Sequence, residues 1–160
     1  MPLEQITGVA YWVTKHLING VPSGTERFFV LYTPRGNWKV PLHTNKMNKT
    51  KKTNEAHYDR LVGISAELIE PRLRDEAFAI IERGGEYTVG TVTVDQSGIR
   101  SSSRLGKQSI AWPAVDEANL DHGMVVIKEA GDRRPISLSL ETCNAVIVAR
   151  LIPLCAQKFG

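Results

Sequence analysis

The stretch from Tyr87 to Lys158 limits what this chain can fold into more than any other: short alternating segments follow one another through tight turns and end in one apolar helix. Tyr87, Val89, Thr91 and Thr93 alternate against Thr88, Gly90, Val92 and Val94 in a β-rich run that stops at the turn Asp95-Gln96-Ser97-Gly98. The chain returns through Ile99 to Ser103, turns again around Leu105-Gly106-Lys107, and enters Ser109-Ile110-Ala111-Trp112, where Pro113 stops or kinks the strand. Val115 to Leu120 has no decisive pattern. Met124 to Lys128 and Pro135 to Leu140 read as two further strands joined at Ala130-Gly131-Asp132-Arg133. A helix from Glu141 to Ile152 closes the chain, with Pro153 ending or kinking it because proline offers no N–H to Ala149. Its apolar residues nearly encircle it, so Val146, Ile147, Leu151 and Ile152 should be core or interface side chains, covered by the first half of the chain or by a partner subunit. The fold class that follows is α+β, with an antiparallel bent sheet or partly open β-barrel closed by the C-terminal helix.

The first half adds its own elements. Ile6 to Val13 and Arg27 to Tyr32 are rich in β-branched and aromatic residues and read as a hairpin with a long connection through Asn19 to Gly24. Trp38 to Leu42 reads as a third strand, at a sheet edge because Pro41 cannot donate a ladder hydrogen bond. His43 to Asn54 is polar, rich in lysine and without periodicity, so a flexible loop is expected. Two helices follow: one capped by Thr53 or Asn54, and one starting at Pro71 with Leu73, Ala77, Ile80 and Ile81 on its buried face and Gly84 at its stop. A chain of 160 residues most often makes one domain. Residues 1–84 would contribute the hairpin and helices, and 85–158 the strands and the closing helix.

Composition sets outer bounds on function. No apolar run approaches the 18 to 20 residues that cross a bilayer, and the N-terminus lacks the basic start of a secretory signal, so no transmembrane segment and a cytoplasmic location are expected. Cys143 and Cys155 are twelve residues apart, about 18 Å of rise on a straight helix, which favours two buried thiols over a disulfide. The net charge of +3 is unevenly spread: residues 1–83 hold twelve Lys and Arg against nine Asp and Glu, and residues 84–160 hold eight of each.

With these residues in place, Tyr87 to Gln157 resembles the pleckstrin-homology-like (PH-like) domains of bacteria. The resemblance is carried by a strand ending in Asp95-Gln96-Ser97-Gly98-Ile99, a hairpin back through Ile110-Ala111-Trp112-Pro113, the strands VVIKE and ISLSL, and the closing helix. It implies a bent antiparallel sheet capped by the helix, and binding rather than chemistry. A second stretch, Gly8-Val9-Ala10-Tyr11 through Phe29-Val30-Leu31-Tyr32 to Gly36-Asn37-Trp38-Lys39-Val40-Pro41, resembles the opening of a Nudix hydrolase. The place where that family carries its glutamate cluster reads His57-Tyr58-Asp59-Arg60-Leu61-Val62-Gly63, so the carboxylates that would hold a divalent cation are missing.

Candidate sites are few. His16, His43, His57 and His122 show none of the spacings that ligate zinc, and Ser101-Ser102-Ser103 lacks a nucleophile elbow, so no catalytic residue, metal or cofactor is assigned. Two basic groups remain as anion or nucleic-acid ligands: Lys46, Lys49, Lys51 and Lys52 in the polar loop, and Arg100, Arg104 and Lys107 on the central hairpin. The expectation is a non-enzymatic binding or adaptor module for a protein partner, with homo-oligomerisation left open. The alternatives are a degenerate Nudix-like nucleotide-binding protein or hydrolase, and a binder of nucleic acid or anionic surfaces through the lysine-rich loop.

Overall fold

The computed structural model describes residues 2–45, 51–103, 106–131 and 134–160, with side chains described for all of these except 18, 22, 41, 43–45, 51–53 and 103. The polypeptide divides into two compact units, Met1–Pro71 and Arg72–Gly160. The structure is α+β: two three-stranded and one four-stranded antiparallel sheet, and a C-terminal helix. The strands form separate sheets and not a closed barrel.

In the first unit, β1 (Gly8–Ile18), β2 (Val21–Thr33) and β3 (Gly36–Asn45) form a meander. The long connection expected between the first two strands is a two-residue turn. Asn19 and Gly20 take φ of 51° and 77°, the left-handed pair that a tight hairpin turn requires, and the strands run to either side of it. β3 lies at the sheet edge, where Pro41 costs no ladder hydrogen bond. Helix α1 (Lys51–Ile64) packs on β2 and β3, and Arg27 donates to Glu55 at 2.9 Å across that contact. Both ends of the expected polar loop belong to regular elements: His43 to Asn45 extend β3, and Lys51 to Asn54 begin α1, while 46–50 lie outside the described residues.

The two expected helices are one helical run. α1 passes through a single wide π-helical stretch at Ser65–Ile69 into α2 (Glu70–Glu82), with the Glu70 N–H reaching back to the Ser65 carbonyl. Pro71 supplies the physical reason: it has no N–H to give, and its ring crowds the carbonyl one turn earlier, so the helix widens there instead of starting afresh. Glu70 is 2% exposed and accepts a hydrogen bond from the Tyr11 hydroxyl at 3.1 Å. The far end of α2 is closed by Gly84, at φ 84°, with Gly84 N–H bonding Ile81 O and Gly85 N–H bonding Ile80 O, both at 2.9 Å.

In the second unit, β4 (Tyr87–Val89), β5 (Val92–Asp95), β6 (Gly98–Ser103) and β7 (Gly106–Ala111) form a four-stranded meander. A short turn at Trp112–Ala114 leads into a three-stranded meander of β8 (Val115–Asp121), β9 (Met124–Glu129) and β10 (Ile136–Ser139). The undecided segment after Pro113 is therefore a strand, bulged between Val115 and Glu117. Helix α3 (Ala145–Phe159) packs against β8, β9 and the Trp112–Ala114 turn. It starts later than expected and continues through Pro153, which is exposed on its outer face. Val92, Val94, Ile99, Val125, Ile127 and Ile136 from the two sheets are 0–1% exposed, as are Ile147 and Leu151 of α3, and these form the core. Val146 and Ile152 are 2% exposed.

Candidate functional site

Alternation along β5, β6 and β7 sends one set of side chains into that core and the other outward. Val92, Val94, Ile99 and Ile110 point in; Thr93, Arg100, Ser102, Lys107 and Ser109 point out. Cross-strand pairing sets Thr93 opposite Arg100 and Arg100 opposite Ser109, and in the next row Ser102 opposite Lys107. Together with Glu86 and Thr91 these residues line a groove of about 440 Å³ on the outer face of the sheet.

Arg100 is the fixed point of this groove. Its Nη2 lies 2.8 Å from Asp95 Oδ2 and 2.6 Å from Glu86 Oε1. The two carboxylates differ in kind. Asp95 is 17% exposed and sits in the β5–β6 turn, where its Oδ1 accepts from Ser97 N–H (2.7 Å), Ser97 Oγ (2.5 Å) and Gly98 N–H (3.2 Å). Burial pushes its pKa up, but the Ser97 and Gly98 hydrogen bonds and the Arg100 charge outweigh burial and hold it below the ordinary value. Glu86 is 59% exposed. The same Glu86 hydrogen bond and charge, with Asp95 next, raise the pKa of Arg100.

The rest of the lining is Lys107 and neutral polar side chains. Thr88 and Thr93 share a hydroxyl hydrogen bond at 3.0 Å, whereas among the described residues the hydroxyls of Thr91, Ser102 and Ser109 and the ammonium of Lys107 make none. Gln108 donates to Arg134 O at 2.7 Å. Among the described residues no histidine or cysteine lines the groove, and the one lining carboxylate is tied to Arg100. A groove of this kind can hydrogen-bond and pair charge.

Of the basic residues singled out in the sequence, Arg100 and Lys107 therefore share one site, as diagonal neighbours across β6 and β7. Arg104, Lys46 and Lys49 lie outside the described residues; Lys51 and Lys52 open α1, and their side chains are not described. Sequence reasoning missed Glu86, Thr93, Ser102 and Ser109, although the period-2 alternation already placed the last three on one face with Arg100 once the turns were located.

The first unit carries a second grouping. Trp12 and Phe28, cross-strand partners, stack with ring centroids 4.8 Å apart, and Lys39 Nζ lies 4.4 Å from the centre of the Phe28 ring. Trp38, its neighbour on β3, faces the other side of the sheet and is 65% exposed. Among the described residues no three His, Cys, Asp or Glu side chains gather as a metal ion would need, and no described helix is long and apolar enough to cross a membrane. No family model, curated protein or solved structure matches the chain.

Proposed function

We propose that this chain is a non-catalytic binding module whose second unit is PH-like and receives a protein partner on the outer face of the β4–β7 sheet. The supporting observation is the groove of about 440 Å³ whose Thr91, Ser102 and Ser109 hydroxyls have no partner among the described residues, beside an anchored arginine. Such a lining suits the backbone amides of an extended segment. It offers nothing for bond-making chemistry. The order of four strands, three strands and a closing helix supports the PH-like reading.

The test is affinity capture from the native cell with the wild-type chain and with Ser102→Trp, which fills the groove from a solvent-facing position. A partner held by the wild type and lost by the variant is the expected result. Equal capture by both would place the interface elsewhere. Turnover of a nucleotide or ester substrate by the purified chain, abolished by the same substitution, would replace the binding reading with an enzymatic one.

A second reading, binding of single-stranded nucleic acid, is favoured by the Trp12–Phe28 stack with Lys39 above it. Residues 1–71, with nine Lys and Arg against six Asp and Glu, hold the chain's whole positive excess. Bases stacking on such rings are worth about 1–3 kcal/mol each. An oligothymidylate that quenches tryptophan fluorescence in wild type but not in Trp12→Leu, with binding that falls steeply with salt, is the outcome this reading expects.

A further inference from the structure

The two carboxylates on Arg100 have unequal roles, and that inequality identifies what the groove is built to take. Asp95 is held by three hydrogen bonds from its own turn, so it fixes where the guanidinium points. Glu86 precedes β4, is mostly exposed, and lines the groove itself; among the described residues its side-chain partner is Arg100 alone, at 2.6 Å. A planar guanidinium presents five donors, enough to keep Asp95 while exchanging its other carboxylate. Lys107, exposed and without a partner among the described residues, stands diagonally across β6 and β7 on the same face.

We propose that Glu86 is a tethered placeholder for an acidic side chain of the partner, and that the groove recognises an extended peptide segment carrying Asp or Glu. In the bound state the partner's carboxylate replaces Glu86 on Arg100 and reaches Lys107, while the Thr91, Ser102 and Ser109 hydroxyls bond its backbone. In the free state Glu86 and Asp95 both sit on Arg100, so among the described residues the two carboxylates balance Arg100 and Lys107. Displacement of Glu86 leaves that set with one net positive charge, which the incoming carboxylate meets. An exposed ion pair contributes little stability, so the exchange is easy, and it filters out neutral segments that cannot compete with Glu86. This inference rests on the groove being the protein-binding face.

Titration of the full chain, followed by amide chemical shifts, against eight-residue polar peptides with a central Asp-Glu pair, and against the same peptides with Asn-Gln, tests it. The acidic peptide should perturb Thr93, Ser102, Lys107 and Ser109, with an affinity that falls as salt rises. Glu86→Gln keeps the Asp95–Arg100 bond and so the fold, and should tighten binding by about 1.5- to 5-fold, the range for removing one exposed ion pair. Arg100→Gln should abolish binding and Lys107→Gln should weaken it, with the folded spectrum as control. If the neutral peptide binds as well, or Glu86→Gln binds no tighter, the placeholder is refuted while the groove stands as a peptide site. If neither peptide shifts these residues, both readings fall. If inorganic phosphate or vesicles with anionic lipid shift them more strongly than the acidic peptide, the ligand is a phosphate and the peptide proposal is wrong.

Discussion

Asp95 shows how one side chain serves both fold and site. It closes the β5–β6 turn and aims Arg100, and its pKa is held below the ordinary 3.8 because the Ser97 and Gly98 hydrogen bonds and Arg100 overcome the opposing effect of burial. A carboxyl whose folded pKa is depressed stabilises the fold above its unfolded pKa and loses that contribution as pH falls through the folded value. Urea unfolding should therefore show stability dropping below about pH 4, and Asp95→Asn should lower stability at neutral pH while flattening that acid limb. Gly98, at φ 151°, allows the same turn: a Cβ there would lie 2.1 Å from Ile110 O. Gly98→Ala should cost more than about 1 kcal/mol in the same measurement, since the substituent meets backbone and not a side chain that can yield. The two cysteines should separate by reactivity. Burial raises the Cys155 thiol to about 12 and raises the half-buried Cys143 thiol as well. Alkylation of the native chain should label Cys143 first, with Cys155 reacting at the rate of unfolding.

Among the elements, α3 carries the clearest energetic consequence. Ala145 to Val148, Leu151, Ile152 and Cys155 are all buried, with Ile147 0% exposed, so the helix is enclosed on more than one side within the chain. Ile147→Ala should cost about 2–5 kcal/mol, the range for a buried aliphatic truncated to alanine, read as a shift in denaturation midpoint at unchanged slope. A change in slope would point instead to a remodelled unfolded state. The α1–α2 run teaches the opposite lesson: periodicity on either side of Pro71 looks like two helices, and only the wide turn at Ser65–Ile69 joins them. Nothing in residue identity marks a π turn. Its cost and benefit lie in whether Tyr11 can meet Glu70 and whether Ile69, 3% exposed, stays covered.

At the scale of the whole chain, the enclosure of α3 bears on assembly. A helix left for a partner copy to cover would make stability depend on concentration. Here its apolar side chains are covered in a single chain, so the melting temperature should be unchanged across a hundred-fold dilution; a fall on dilution would show that a second copy completes the core. The order of three antiparallel strands followed by a helix also occurs twice, in Gly8–Ile64 and in Val115–Phe159, although no sequence repeat announces it. The two versions differ in how their polar and apolar residues are placed, which is where sequence self-similarity would have to appear.

The sequence by itself determined those features that depend on near neighbours. Alternation in Tyr87–Asp95, the Asp95–Gly98 turn, the Gly84 stop and the edge position of Pro41 follow from backbone sterics and side-chain periodicity over a few residues. So did the pairing of Arg100 with Lys107 on one hairpin. Tertiary structure alone decided what depends on distant groups. The Asn19-Gly20 turn displaced a longer loop because the flanking strands found enough partners to extend to it. Val115–Asp121 became a strand because β9 was there to bond it. Glu86 reached Arg100 because β4 and β5 bring them to one face across fourteen residues. Local rules act over one turn or one strand pair, whereas a site is assembled by whichever segments the core has already brought together.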